Sequence, residues 1–113
     1  MAGFTLVEIM IVVAIIGLLA AIAIPNFVRA RTQSQMNACI NNLRQIDGAI
    51  QQFALEQKKD SNATVGEIDV TPFLKNSVVC PSGGTSFADS YTTTTVSELP
   101  LCKKQALTHK LPL

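Results

Sequence analysis

The sequence carries little charge and no concentration of it. Only 15% of its 113 residues are charged, the formal net charge is +1, and no block of Lys and Arg occurs anywhere. The electrostatic footprint with which a protein grips duplex phosphates is missing, so nucleic acid is not an expected partner. Cysteine is also scarce: Cys39, Cys80 and Cys102 are an odd number, with no CxxC pair and no histidine close enough in sequence to complete zinc-ligand spacing. Neither a metal nor a cofactor is expected. The one histidine, His109, lies near the C-terminus without an obvious Ser or Cys partner. That pattern gives a catalytic triad no support and suggests a solvent-exposed side chain. Calcium takes roughly six to eight oxygens, and Asp89 and Glu98 are a sparse supply. With no catalytic constellation, the chain reads as something other than an enzyme.

What is present is uneven. From Phe4 to Ile24 the only polar residues are Thr5 and Glu8. This run of 21 residues would extend roughly 31 Å as an α-helix, enough to cross a bilayer's hydrocarbon core. A secretory signal peptide would begin with a basic region and end at a small-residue cleavage site. Here nothing basic precedes the apolar run, and the first cations, Arg29 and Arg31, follow it. Within the run Glu8 stands out, because a carboxylate near a bilayer's centre costs about 2.5–3.5 kcal/mol on insertion scales. As a residue near a helix N-terminus it would gain from the helix macrodipole. Pro25 removes a backbone donor and crowds the preceding turn, so a kink or local unwinding is expected there.

Beyond Pro25 the apolar residues become periodic. Met36, Cys39, Ile40, Leu43, Ile46, Ile50 and Phe53 recur three and four apart, with Arg44, Asp47, Gln51 and Gln52 on other faces. This predicts one amphipathic helix ending near Glu56, which needs a lid because helices of this length draw most of their stability from packing. Residues 57–66 are a polar, turn-rich loop, and residues 70–75 could add a helical turn. VVCPSGGTSF and SYTTTTV combine β-prone types with Pro81 and the Gly83–Gly84 pair, predicting two or three short antiparallel strands across the helix stripe. The tail LTHKLPL offers a last strand or an anchoring strap. The expected class is therefore α+β, a small β-rich head on a long helix. The expected segments are 1–3, 4–28 (apolar helix), 29–56 (amphipathic helix) and 57–113 (loop and head).

An apolar N-terminus implies export or membrane residence, where disulfides persist, and Cys80 and Cys102 could then close a short loop. Cys39 would be left over, as a small buried hydrophobe on the helix. Asn62-Ala63-Thr64 fits a glycosylation sequon, a tripeptide common by chance. The six aromatics, Phe4, Phe27, Phe53, Phe73, Phe87 and Tyr91, are accounted for by packing.

Gly3-Phe4-Thr5-Leu6-Val7-Glu8, the unbroken apolar run and Pro25 together resemble the N-terminus of type IV pilins and the related pseudopilins of type II secretion. The motif covers about the first quarter of the chain. The CPSGG segment followed by Cys102 is more weakly similar to the C-terminal region of small bacterial pilins. The resemblance implies a leader of residues 1–3, cleavage by a prepilin peptidase between Gly3 and Phe4, and N-methylation of Phe4. It implies an inner-membrane precursor, then a cell-surface helical filament of identical subunits built by a pilus assembly machinery. Glu8 would pair with the Phe4 amine of a neighbouring subunit and set register, and the stem would loosen between Gly17 and Pro25. A pseudopilin forming a short periplasmic pseudopilus is the alternative, and a membrane-anchored binding module that never assembles is the third class.

Overall fold

The computed structural model describes residues 3–112. The Met1 and Ala2 of the expected leader and the terminal Leu113 lie outside the described residues. The chain divides between Gln33 and Ser34 into two compact units.

One helix, α1 (Leu6–Gln57), runs through both and is unbroken at Pro25. It starts where Thr5 accepts a hydrogen bond at Oγ1 from the Glu8 backbone N–H at 3.2 Å. In return the Glu8 carboxylate accepts one from the Thr5 N–H at 2.9 Å. This reciprocal pair is a capping box, which satisfies two backbone donors that a helix's first turn otherwise leaves open. The helix stops at Lys58, the one non-glycine described residue at positive φ (53°). The Lys59 N–H then reaches back to the Ala54 carbonyl at 2.9 Å, the bond by which a left-handed residue closes a helix C-terminus.

In the unit from Ser34 onward, α1 buries Cys39, Leu43, Ile46, Ala49, Ile50, Phe53 and Ala54. This is the periodic stripe read from the sequence, with Met36 and Ile40 at its half-buried margin. Its lid is made of Val65, Val70, Val78, Cys80, Phe87, Tyr91, Val96 and Cys102, with Phe73, Leu74 and Leu111 packed against the edge. Little of this lid is regular. The one-turn helix α2 (Glu67–Val70) leads into a 3-10 turn (Thr71–Phe73), and a second single turn, α3 (Phe87–Ser90), is capped by Ser86. β1 (Tyr91–Thr92) pairs antiparallel with β2 (Leu101–Cys102), Tyr91 opposite Cys102. A single further bridge joins Thr64 to Thr95.

The α+β class holds, but the sheet is smaller than the β-prone sequence promised. VVCPSGGTSF forms a turn instead of a strand, and only Tyr91 and Thr92 of SYTTTTV join the sheet. The threonines turn their hydroxyls to other work. Thr93 Oγ1 donates to the Val65 carbonyl at 2.8 Å, and Thr94 Oγ1 donates to the Glu98 carboxylate. The first reaches a distant segment, and the second is the kind of local side-chain bond that competes with ladder formation. The tail forms no strand among its described residues. It straps across the core through buried His109 and half-buried Leu111.

Candidate functional site

Two groups of residues have chemistry to offer. The first is the amino-terminal part of α1. Between Leu6 and Val28 every large apolar side chain is at least half exposed or close to it, from 49% at Ile9 to 77% at Leu6, and Phe4 just ahead is 86% exposed. The helix contains a stretch long and apolar enough to cross a membrane, none of it buried inside the protein. Surface on this scale marks contact with lipid or with other proteins. Glu8, the lone acid of the first turn, sits at its tip with its carboxylate occupied by the Thr5 N–H. Gly17 lies in open space, where a Cβ would meet nothing within 4 Å.

The second group is buried in the other unit. Cys39 projects from α1, Cys80 from the CPSGG turn, Cys102 from β2 and His109 from the C-terminal strap. All four are buried, and their sulfur and imidazole nitrogen atoms lie within 4.8 Å of one another. Cys80 and Cys102, the pair expected to form a disulfide, are free thiols whose sulfurs are 3.5 Å apart. Cys39 Sγ stands 3.7 Å from Cys80 Sγ, and His109 Nδ1 stands 3.9 Å from it.

The local chain is shaped around these groups. The Gly84 N–H closes the turn on the Cys80 carbonyl at 2.8 Å. Gly83 takes φ 105°, a left-handed conformation suited to glycine, and a Cβ on Gly84 would fall 2.1 Å from Ser90 Oγ. That hydroxyl accepts the Cys80 N–H at 2.9 Å. Tyr91 Oη lies 3.7 Å from Cys39 Sγ and accepts a hydrogen bond from Asn42 Nδ2 at 3.0 Å.

These surroundings set proton affinities. Burial raises the Cys39 and Cys80 thiols. At Cys102 burial acts the same way but is outweighed by the N–H of Gln105, the two neighbouring cysteines and the N–H of Lys104, and the thiol is lowered. Burial lowers His109, which favours the neutral ring.

His109 corrects the sequence reading: it is 3% exposed, because the strap lays it against the thiols. The cluster was invisible to spacing rules because its members are 41, 22 and 7 residues apart. The signal that existed was the CPSGG turn together with an odd cysteine on the buried stripe of the helix.

Residues 1–24 match the family described as a prokaryotic N-terminal methylation motif. The chain is 48% identical over 60 residues to the type IV major pilin protein PilA of Myxococcus xanthus, which covers 53% of this chain and 27% of that protein. It is 38% identical over 90 residues to the type IV major fimbrial protein FimA of Dichelobacter nodosus, covering 80% of this chain and 52% of that one. It is 32% identical over 57 residues to the type II secretion system core protein G of Klebsiella pneumoniae, covering 50% and 41%. The chain thus spans about half or less of the length of these relatives. No solved structure gives a significant match. With the methylation motif at the head of an exposed apolar helix, the chain is similar over this part to type IV pilins and to a type II secretion core protein.

Proposed function

We propose that this pilin-like chain is a structural subunit, not an enzyme, that polymerises with identical copies into a type IV pilus-like surface filament. The observation that carries this reading is the apolar face of α1 from Leu6 to Val28, exposed throughout and with no partner in its own unit. In the precursor, lipid of the inner membrane covers it. In the filament, which stands in water, neighbouring helices keep it covered, where each Å² left bare would cost about 25 cal/mol.

Cleavage between Gly3 and Phe4 by a prepilin peptidase gives Phe4 a new amine, which is then methylated. Glu8 lies one helical turn further on, so its carboxylate can meet that amine on an adjoining subunit. Two charges removed from water interact strongly but are also costly to desolvate. The pair therefore contributes register more than cohesion, telling featureless apolar helices at which offset to stop. Pro25 and Gly17 are where the helix would loosen to let packed subunits adjust.

The 32% identity to core protein G favours a second reading, a pseudopilin in a short periplasmic pseudopilus. Electron microscopy of sheared surface fibres, with the chain identified in them by mass spectrometry, separates the two. Fibres containing the chain with an N-methylated Phe4 support the first reading. Confinement to the periplasm supports the second, and an unprocessed chain that stays monomeric in detergent refutes both.

A further inference from the structure

We propose that Cys39, Cys80, Cys102 and His109 form a tetrahedral zinc site that staples the carboxy-terminal unit together. Three sulfurs and one imidazole nitrogen are a donor set that zinc takes in closed structural sites, with bonds of about 2.3 Å to sulfur and 2.0–2.1 Å to nitrogen. Tetrahedral geometry with those bonds puts sulfurs about 3.8 Å apart and sulfur about 3.6 Å from nitrogen. The separations found are 3.5 Å and 3.7 Å between sulfurs and 3.9 Å from Cys80 Sγ to His109 Nδ1. These three separations lie within about 0.3 Å of the tetrahedral values, and all four atoms lie within 4.8 Å of one another.

Two further observations distinguish this from a chance meeting of small core residues. The first is the setting of the sulfurs: the Tyr91 hydroxyl stands 3.7 Å from Cys39 Sγ, held in place by Asn42, where it can offset the buried charge of a metal-bound thiolate. Around all of this the CPSGG turn is built on two glycines that no other residue could replace without strain or collision.

The second observation is the architecture. The four ligands come from a helix, a turn, a strand and the terminal strap, four segments otherwise held by core packing, with a sheet of only two two-residue strands. A two-stranded sheet is marginal in water, and units below about 80 residues commonly need a disulfide or a metal. A disulfide between Cys80 and Cys102 would tie only two of the four segments and leave a third thiol and a buried imidazole beside it. A zinc ion ties all four, and its binding energy becomes folding energy.

The test uses the full-length chain, purified from membranes in detergent with a tag that does not bind metal. Elemental analysis should give one zinc per chain, and X-ray absorption should show three sulfurs and one nitrogen around it. Stripping with a chelator should lower the melting temperature of the carboxy-terminal unit, and added zinc should restore it. Cys39→Ala and His109→Gln should each weaken zinc binding by more than the roughly 10–100-fold typical of losing an outer partner. The wild-type chain alone also decides the matter, should either variant fail to fold. A Cys80–Cys102 disulfide found by mass spectrometry in chain isolated without metal overturns the proposal, and so does a zinc shell of oxygen and nitrogen donors without sulfur.

Discussion

The two parts of α1 are made of similar residues and treat them in opposite ways. From Leu6 to Val28 the apolar side chains cover every face of the helix and none is buried; from Cys39 to Ala54 they keep to one stripe and seven are buried. An apolar stripe at helical period is consumed inside the molecule, because one face can be covered by one lid. A helix that is apolar all round exceeds what any single neighbour can cover, so its burial must come from lipid or from several other chains. The pattern of hydrophobicity, more than its amount, divides the part that folds on itself from the part that the proposed filament would bury.

The comparison breaks most visibly at Glu8. Glu8→Leu should leave membrane insertion and the folding of the carboxy-terminal unit unchanged while filament yield falls to near zero or the subunits misregister. Counting fibres by electron microscopy against subunit in the membrane fraction checks this, and wild-type fibre yield would remove Glu8 from assembly.

Core truncation should show the reverse pattern. Leu43→Ala or Ile50→Ala, each removing a fully buried side chain, should destabilise the carboxy-terminal unit by about 2–5 kcal/mol. Leu18→Ala, at a residue 66% exposed, should leave its melting temperature unmoved. Thermal melts of the full chain in one detergent would make the contrast quantitative.

Glycine gives a smaller contrast of the same kind. A Cβ at Gly84 meets Ser90 Oγ at 2.1 Å and the Cys80 backbone at 2.8 Å. Gly84→Ala should therefore cost about 1–3 kcal/mol, the range for overpacking. Gly17→Ala, in open space within a helix, should be neutral or stabilising by up to about 1 kcal/mol.

The smallest effect is electrostatic. Lys104 pairs with Asp89 at 2.6 Å on the surface. The Lys104 ammonium, with the Thr85 hydroxyl, holds the Asp89 carboxyl well below its ordinary value, at about 2. A carboxyl depressed on folding adds stability above its unfolded pKa of 3.8 that is lost as pH falls through about 2. Comparing wild type with Asp89→Asn should show a slight difference in melting temperature at neutral pH that vanishes at the acid end. An exposed pair of this kind contributes little, and less in high salt.

The long helix, its buried stripe and the apolar run were legible because each is a local pattern that repeats over many turns. The end of α1 was readable to within one residue, Glu56 against Gln57. The lid was less so. Thr93 and Thr94 are β-branched and read as strand, yet a tertiary partner at Val65 and a local one at Glu98 claim their hydroxyls. His109 read as exposed because nothing near it in sequence shows that the strap crosses the core. Convergence of distant segments is a property of the fold, and spacing rules detect a ligand set only when its members are neighbours along the chain.

The capping box at the start of α1 also bears on the membrane stage of the proposed precursor. Thr5 and Glu8 both lie after the expected cleavage point and belong to the same chain, so processing leaves the cap intact. In the proposed precursor a subunit alone in lipid would keep its acid engaged by its own amide, and assembly would exchange that internal hydrogen bond for a charge pair with a neighbour's amine. Thr5 would then be the acid's resting partner.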